Sequence, residues 1–204
     1  NGPSTAAASP FGAAQQHPSS FDEIFDHSAL RPGWEWPQDS EPEFDERKGL
    51  LSLGSKRPVT AIDSAILAHS TWTGNYEAMA LVQADKLTKM SAAGISVVGD
   101  PGRAIGLAVT QGHLKLWRRD AGSERILADT AAPSTNAVWL KVASTGGNLF
   151  RFAASEDAEH WTNVGEAQTG NKLPPWDRGI RVGLTAGGEP FARGYFREFR
   201  ITSH

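Results

Sequence analysis

The sequence contains no cysteine, so disulfide staples, thiolate nucleophiles and cysteine-ligated zinc are all excluded, while the redox compartment stays open. Charge of one sign is not in excess either. The 20 Lys plus Arg face 23 Asp plus Glu, a formal net charge of -3, which offers a phosphate backbone no basic field and argues against nucleic acid as a partner. No apolar run approaches the roughly 20 residues that a spanning helix needs, and no basic-then-apolar leader stands at the amino terminus, so no membrane partner is expected. The six His are scattered without metal-ligand spacing, and there is no Gly-x-Ser-x-Gly for a nucleophile elbow.

What is present is glycine, proline and tryptophan. The 21 Gly, 12 Pro and seven Trp among 204 residues suit a turn-rich chain that presents aromatic faces. Residues 1–20 hold Pro, Ser, Ala and Gly with almost no charge and no period, and read as a linker. A linker at the start implies a preceding signal peptide or catalytic domain; the other reading is an unordered terminus. The rest, 21–204, is long enough to bury a full core as one domain.

From residue 50 onward strand and turn signals alternate. Segments 76–84, 94–98, 104–110, 113–118, 138–142, 149–153, 180–184 and 195–201 are short and rich in β-branched or aromatic residues. Asp100-Pro101-Gly102, Gln111-Gly112 and Gly146-Gly147-Asn148 punctuate them as turns. The segments 104–110 and 113–118 form a predicted β-hairpin with Leu114 and Leu116 on one face. No helical stripe longer than about two turns competes, and 86–92 has room for a single helical turn. The expected fold class is all-β, an antiparallel β-sandwich.

Several motifs follow one another in a recognisable order. Phe21, Phe25, Leu30, Trp34, Trp36, Gly49, Leu51 and Leu53 come first. Leu140-Lys141-Val142, Gly146-Gly147, Phe150 with Phe152, Ser155 and Asp157 leading to Trp161, Val182-Gly183-Leu184, and Phe196, Phe199 and Ile201 complete the series. Over about 21–201 this resembles the concanavalin A-like (jelly-roll) sandwich at the carboxyl end of glycoside hydrolase family 43 β-xylosidases and arabinofuranosidases. The resemblance implies a non-catalytic accessory module, which binds xylan or arabinoxylan or completes the active site of an upstream catalytic domain. It also implies plant cell-wall polysaccharide or oligosaccharide as ligand, an extracellular or periplasmic location, and no cofactor. The alternative is a standalone glycosidase or lyase of the same fold; a purely structural interdomain sandwich is a third.

Many such modules hold a structural Ca²⁺ between an acidic residue of the first strand and an Asp of the last. Arg197 stands at that Asp position here, and a guanidinium cannot replace an oxygen ligand, so no metal is expected. Arg197 either pairs with Asp22 or Glu23 or faces solvent. Catalysis in laminarinase-type relatives needs three carboxylates alternating along one strand. Glu43, Asp45 and Glu46 are followed by Arg47 and Lys48, which leaves the set incomplete, and the segment is expected to be a loop before a strand.

Sugar recognition wants an exposed aromatic face beside fixed polar groups. Trp36, followed by Pro37-Gln38-Asp39, and Trp176, followed by Asp177 and Arg178 in a Pro-stiffened loop, are the leading candidates for a carbohydrate- or partner-binding site. Trp72 suits either a site or packing. Trp117 and Trp139 lie inside strands and are expected in the core, and the turn from Ser155 to Trp161 is expected to be structural.

Overall fold

The computed structural model describes residues 19–27, 29–37, 41–100, 102–168 and 179–204. Two antiparallel sheets pack face to face. The first runs in the order β13 (Thr162–Gln168), β12 (Leu149–Ser155), β11 (Val138–Thr145), β6 (Tyr76–Val82), β15 (Arg193–Ser203), β4 (Leu51–Gly54) and β3 (Glu43–Glu46). Its eighth strand, β1 (Ser20–Glu23), pairs with the second half of β15, while β4 pairs with the first half. The second sheet has seven strands: β10 (Ser123–Ala131), β9 (His113–Asp120), β8 (Arg103–Thr110), β7 (Ser91–Asp100), β14 (Arg181–Gly188), β5 (Ala61–Ser70) and β2 (Trp34–Glu35). No helix among the described residues is long and apolar enough to cross a membrane.

Period-2 alternation builds the core between the sheets. Ala78, Ala80 and Val82 of β6, Val138, Leu140 and Val142 of β11, and Phe150 and Phe152 of β12 point inward from one sheet; Ile95 and Val97, Ile105 and Leu107, and Val182 and Leu184 answer from the other. The sandwich expected from the sequence is present, and the hairpin at Gln111 and Gly112 closes β8 onto β9 with Thr110 opposite His113.

The central strands of the seven-stranded sheet are buried on both faces, which is why β7, β8 and β14 read as near-continuous small and apolar runs. Ile66, Ala68, Ala92, Val98, Ala104, Ala108 and Trp117 form a second apolar cluster on the outer face, with Ile62 packed against it. A bulge supplies the cover. Ala65 pairs with Ala186 and Ala61 with Gly188, so residues 62–64 face Gly187 alone and loop out of the ladder. Asp63 then bonds Arg119 of β9, and the Ile62 N–H donates to Glu124 of β10 at 3.2 Å, partners four and five strands away. Trp117 lies flat against Gly106, where a Cβ would come within 2.6 Å of the ring, so only glycine fits. Trp117 is therefore core as expected, but of this outer cluster.

Some elements differ from the sequence expectation. Residues 43–46 are a strand, β3, and the short helical element is a 3-10 turn at Ala84–Lys86. β5, β10 and β13 carry polar residues on both faces or bury only part of their length, so their period gives a weak signal.

Candidate functional site

Trp34 and Trp36 are two residues apart and have opposite fates. Trp34 packs among Phe21 at 5.6 Å, Phe199 at 5.1 Å and Phe25 at 6.3 Å between ring centroids, beneath the strand that follows the Arg31-Pro32-Gly33 turn. Gly33 has φ +105° and lies so close to His69 that a Cβ would stand 2.5 Å from Nε2, so the chain can enter β2 here only through glycine. After Glu35 the backbone leaves the sheet, and the Trp36 side of the indole pair turns outward with 43% of the residue exposed.

The residue between the two tryptophans ties this end of the sandwich together. Glu35 accepts hydrogen bonds from Ser70 Oγ at 2.9 Å and from the Arg181 guanidinium. Burial pushes the Glu35 carboxyl up, but those two bonds and the positive charge of Arg181 outweigh it and hold the group below the usual carboxylate range. Next door, the Ile180 carbonyl accepts from Thr71 Oγ1 at 3.1 Å and from the Thr71 N–H at 3.5 Å. Half-buried Trp72 follows directly and meets the His69 ring edge-on at 5.4 Å. Trp36 and Trp72 are thus each one residue from a bond that fixes the segment 179–181. Trp176, Asp177 and Arg178 lie outside the described residues. Sequence reasoning missed Glu35, Ser70 and Arg181; the only available sign was a carboxylate placed between two tryptophans.

The anticipated pairing of Arg197 with Asp22 or Glu23 does not form. Arg197 is the extra residue of a bulge, where Phe196 and Glu198 face Val82 and Leu81, and it is exposed. Asp22 instead has Arg200 at 3.7 Å. Glu23 is fully buried and receives the N–H groups of Phe25 at 3.4 Å and Arg31 at 3.3 Å and the Trp34 Nε1–H at 3.5 Å. This carboxylate ties Phe25, Arg31 and Trp34 to β1, a structural duty. Glu46 beside it accepts from the His27 N–H at 2.9 Å; burial foremost, together with the nearby Glu23 charge, raises its carboxyl above the usual range.

Glu43 and Asp45, the carboxylates weighed for catalysis, both sit on the exposed side of β3 and are committed to cations. Glu43 pairs with Arg193 at 2.7 Å and Asp45 with Arg47 at 2.9 Å. Asp157, Glu159 and His160 bring one ligand atom each within 4.8 Å of one another, all exposed. The Asp157 oxygens are already used by the turn, accepting from the His160 N–H at 2.8 Å, the Glu159 N–H at 2.9 Å and the His160 ring at 2.8 Å. Those bonds, the His160 N–H foremost, hold the Asp157 carboxyl far below its ordinary value, and Asp157 raises the His160 imidazole in return. Trp161 closes the turn by donating to the Ala158 carbonyl at 3.0 Å. The segment is structural, as its sequence suggests.

Solved structures with the same fold include "Bacteroides ovatus Xyloglucan PUL GH43B" (18% identity, TM-score 0.73, covering 96% of this chain and 41% of that one). A xylan β-1,4-xylosidase from Bacillus halodurans C-125 is similar at 20% identity and a TM-score of 0.73, covering 97% of this chain and 41% of that one. A functionally unknown protein from Saccharomyces cerevisiae shares 20% identity at a TM-score of 0.58, with 83% of this chain and 93% of that one covered. No curated protein matches the sequence. This chain spans about two fifths of the length of the two bacterial proteins. The family model for the "Beta xylosidase C-terminal Concanavalin A-like domain" matches residues 22–195, and the chain belongs to that family.

Proposed function

We propose that this module serves a glycoside hydrolase of the family 43 type by engaging a xylan-like glycan, outside the cytoplasm, through the end of the sandwich that carries Trp36 and Trp72. One observation carries the reading: Trp36 exposes 43% of its surface although it directly follows a strand whose other indole is packed among phenylalanines. An exposed indole next to a fixed carboxylate and guanidinium is suited to stacking on sugar C–H groups while neighbouring polar groups meet hydroxyls. Trp176, Asp177 and Arg178 belong to the same proposal by sequence, because segment 179–181, which follows them, is anchored by Glu35 and Thr71. On an upstream catalytic domain, the same surface would complete that domain's substrate pocket.

The test is affinity electrophoresis and fluorescence titration of the chain with soluble arabinoxylan and xylo-oligosaccharides. Loss of one stacking aromatic is worth on the order of 1 kcal/mol, so Trp36→Ala is expected to weaken binding several-fold while melting is unchanged. Retention of full affinity in both Trp36→Ala and Trp72→Ala would exclude this end of the domain as the glycan site.

A further inference from the structure

The connection that carries the chain from β14 in one sheet to β15 in the other makes a turn that its residues disfavour. Ala192 N–H donates to the Glu189 carbonyl at 3.1 Å, Pro190 takes the second position, and Phe191 takes the third with φ +63°. That is the type II pattern, whose third position normally falls to glycine because any Cβ crowds the backbone there. For a bulky aromatic residue such a backbone is an outlier. Burial does not compensate, since Phe191 is 61% exposed.

Phe191 borders a cleft of about 210 Å³ that is also lined by Thr88, Ser91, Glu189, Arg193 and Tyr195. Thr88 Oγ1 lies 2.7 Å from Ser91 Oγ and 3.4 Å from Glu189 Oε1, which gathers two hydroxyls and a carboxylate at one wall. The Arg193 guanidinium is neutralised by Glu43 at 2.7 Å and held by Ser52 Oγ at 2.9 Å. Glu189 forms no ion pair among the described residues, so the cleft does not favour an anion. An aromatic side chain, a carboxylate free of ion pairs among the described residues and hydroxyls suit a neutral polyhydroxyl ring, whose C–H face stacks while adjacent hydroxyls donate to the carboxylate. Strand β14 separates this cleft from Arg181 and Glu35 by its eight-residue length, about 23 Å at the usual rise.

We propose that Phe191, Glu189 and Thr88, with Tyr195, form a second carbohydrate subsite that takes one neutral sugar residue at the end of the sandwich away from Trp36. The proposal rests on the carbohydrate reading given above, and the two sites are separable by experiment. The 204-residue chain is titrated with xylotetraose and, separately, cellotetraose while its backbone amide resonances are followed. Amides of 88–91 and 189–195 are expected to shift with one of these sugars. Phe191→Gly should abolish those shifts without lowering the melting temperature, because glycine accepts the positive φ, and Glu189→Gln should weaken them several-fold. The inference is overturned if neither sugar moves those amides, if Phe191→Gly leaves the shifts intact, or if that substitution lowers the melting temperature, which would make the ring a packing element. Trp36→Ala is the control: it should leave this set of shifts in place, and their persistence when no response occurs near Trp36 would refute the first site alone.

Discussion

On the outer face of the seven-stranded sheet, Ala68, Ala92, Ser96, Ala104, Ala108 and Thr185 are closed off from solvent, whereas the outer face of the eight-stranded sheet is a half-exposed lattice of long charged side chains. On that second face Lys141 reaches Glu77 at 3.6 Å and stands 4.4 Å from the Trp161 ring centroid, Arg151 reaches Glu166 at 3.4 Å, and Arg200 lies over Trp139 at 5.8 Å. Side-chain length accounts for the difference. Alanine, glycine and serine leave room for the 62–64 bulge to settle on the sheet, while lysine and arginine cover apolar surface with their stems and keep their charges wet. The closed face has a cost that the open one avoids: among the described residues, Ser96 Oγ, Thr185 Oγ1, Trp117 Nε1 and Asp63 Oδ2 are buried without hydrogen-bond partners.

The inner core sets the scale for breaking that comparison. Phe152→Ala, between the sheets, should cost about 3–5 kcal/mol in urea unfolding, since it removes a fully buried ring from a well-packed site. Asp63→Ala should cost somewhat less, about 3 kcal/mol, by withdrawing a carboxylate from Arg119, whose guanidinium is already pushed below its usual pKa by burial. Replacing both partners, Asp63→Leu with Arg119→Met, should recover most of the loss; if the double substitution is no better than the single one, the pair does not latch the bulge.

Trp117→Phe should stay within about 1 kcal/mol of the parent, because lost ring area is offset by removal of an unpaired buried N–H. A large loss there would mean that the indole N–H has a partner after all. The smallest expected effect is at Glu46, on the eight-stranded sheet. Its folded pKa is raised, so the destabilising contribution is absent below the unfolded value of about 4.3, develops as pH rises from there and is complete above the folded value. Glu46→Gln should therefore slightly raise the melting temperature at pH 7 and leave it unchanged near pH 4. An equal shift at both pH values would assign the effect to packing instead of charge.

Local chemistry was legible along most of the chain. Alternation predicts β6, β9, β11, β12 and β15, glycine after glutamine at 111–112 predicts a tight hairpin, and Asp157 placed ahead of Glu159 and His160 predicts a side-chain-capped turn, because each of these depends on residues within a few positions of one another. The motif order likewise pointed to the family that the chain belongs to. Other features were decided only by tertiary structure. The polar run Pro37-Gln38-Asp39 marks Trp36 for exposure, but nothing local says that Trp34 is walled in by Phe21, Phe25 and Phe199. Glu35 and Arg181 are 146 positions apart, and Asp63 and Arg119 are 56 apart. The pattern along a strand determines that its two faces differ; which face is covered, by which distant segment, and which polar group meets which depends on how the strands are ordered and curved, and neighbouring residues in sequence do not carry that information.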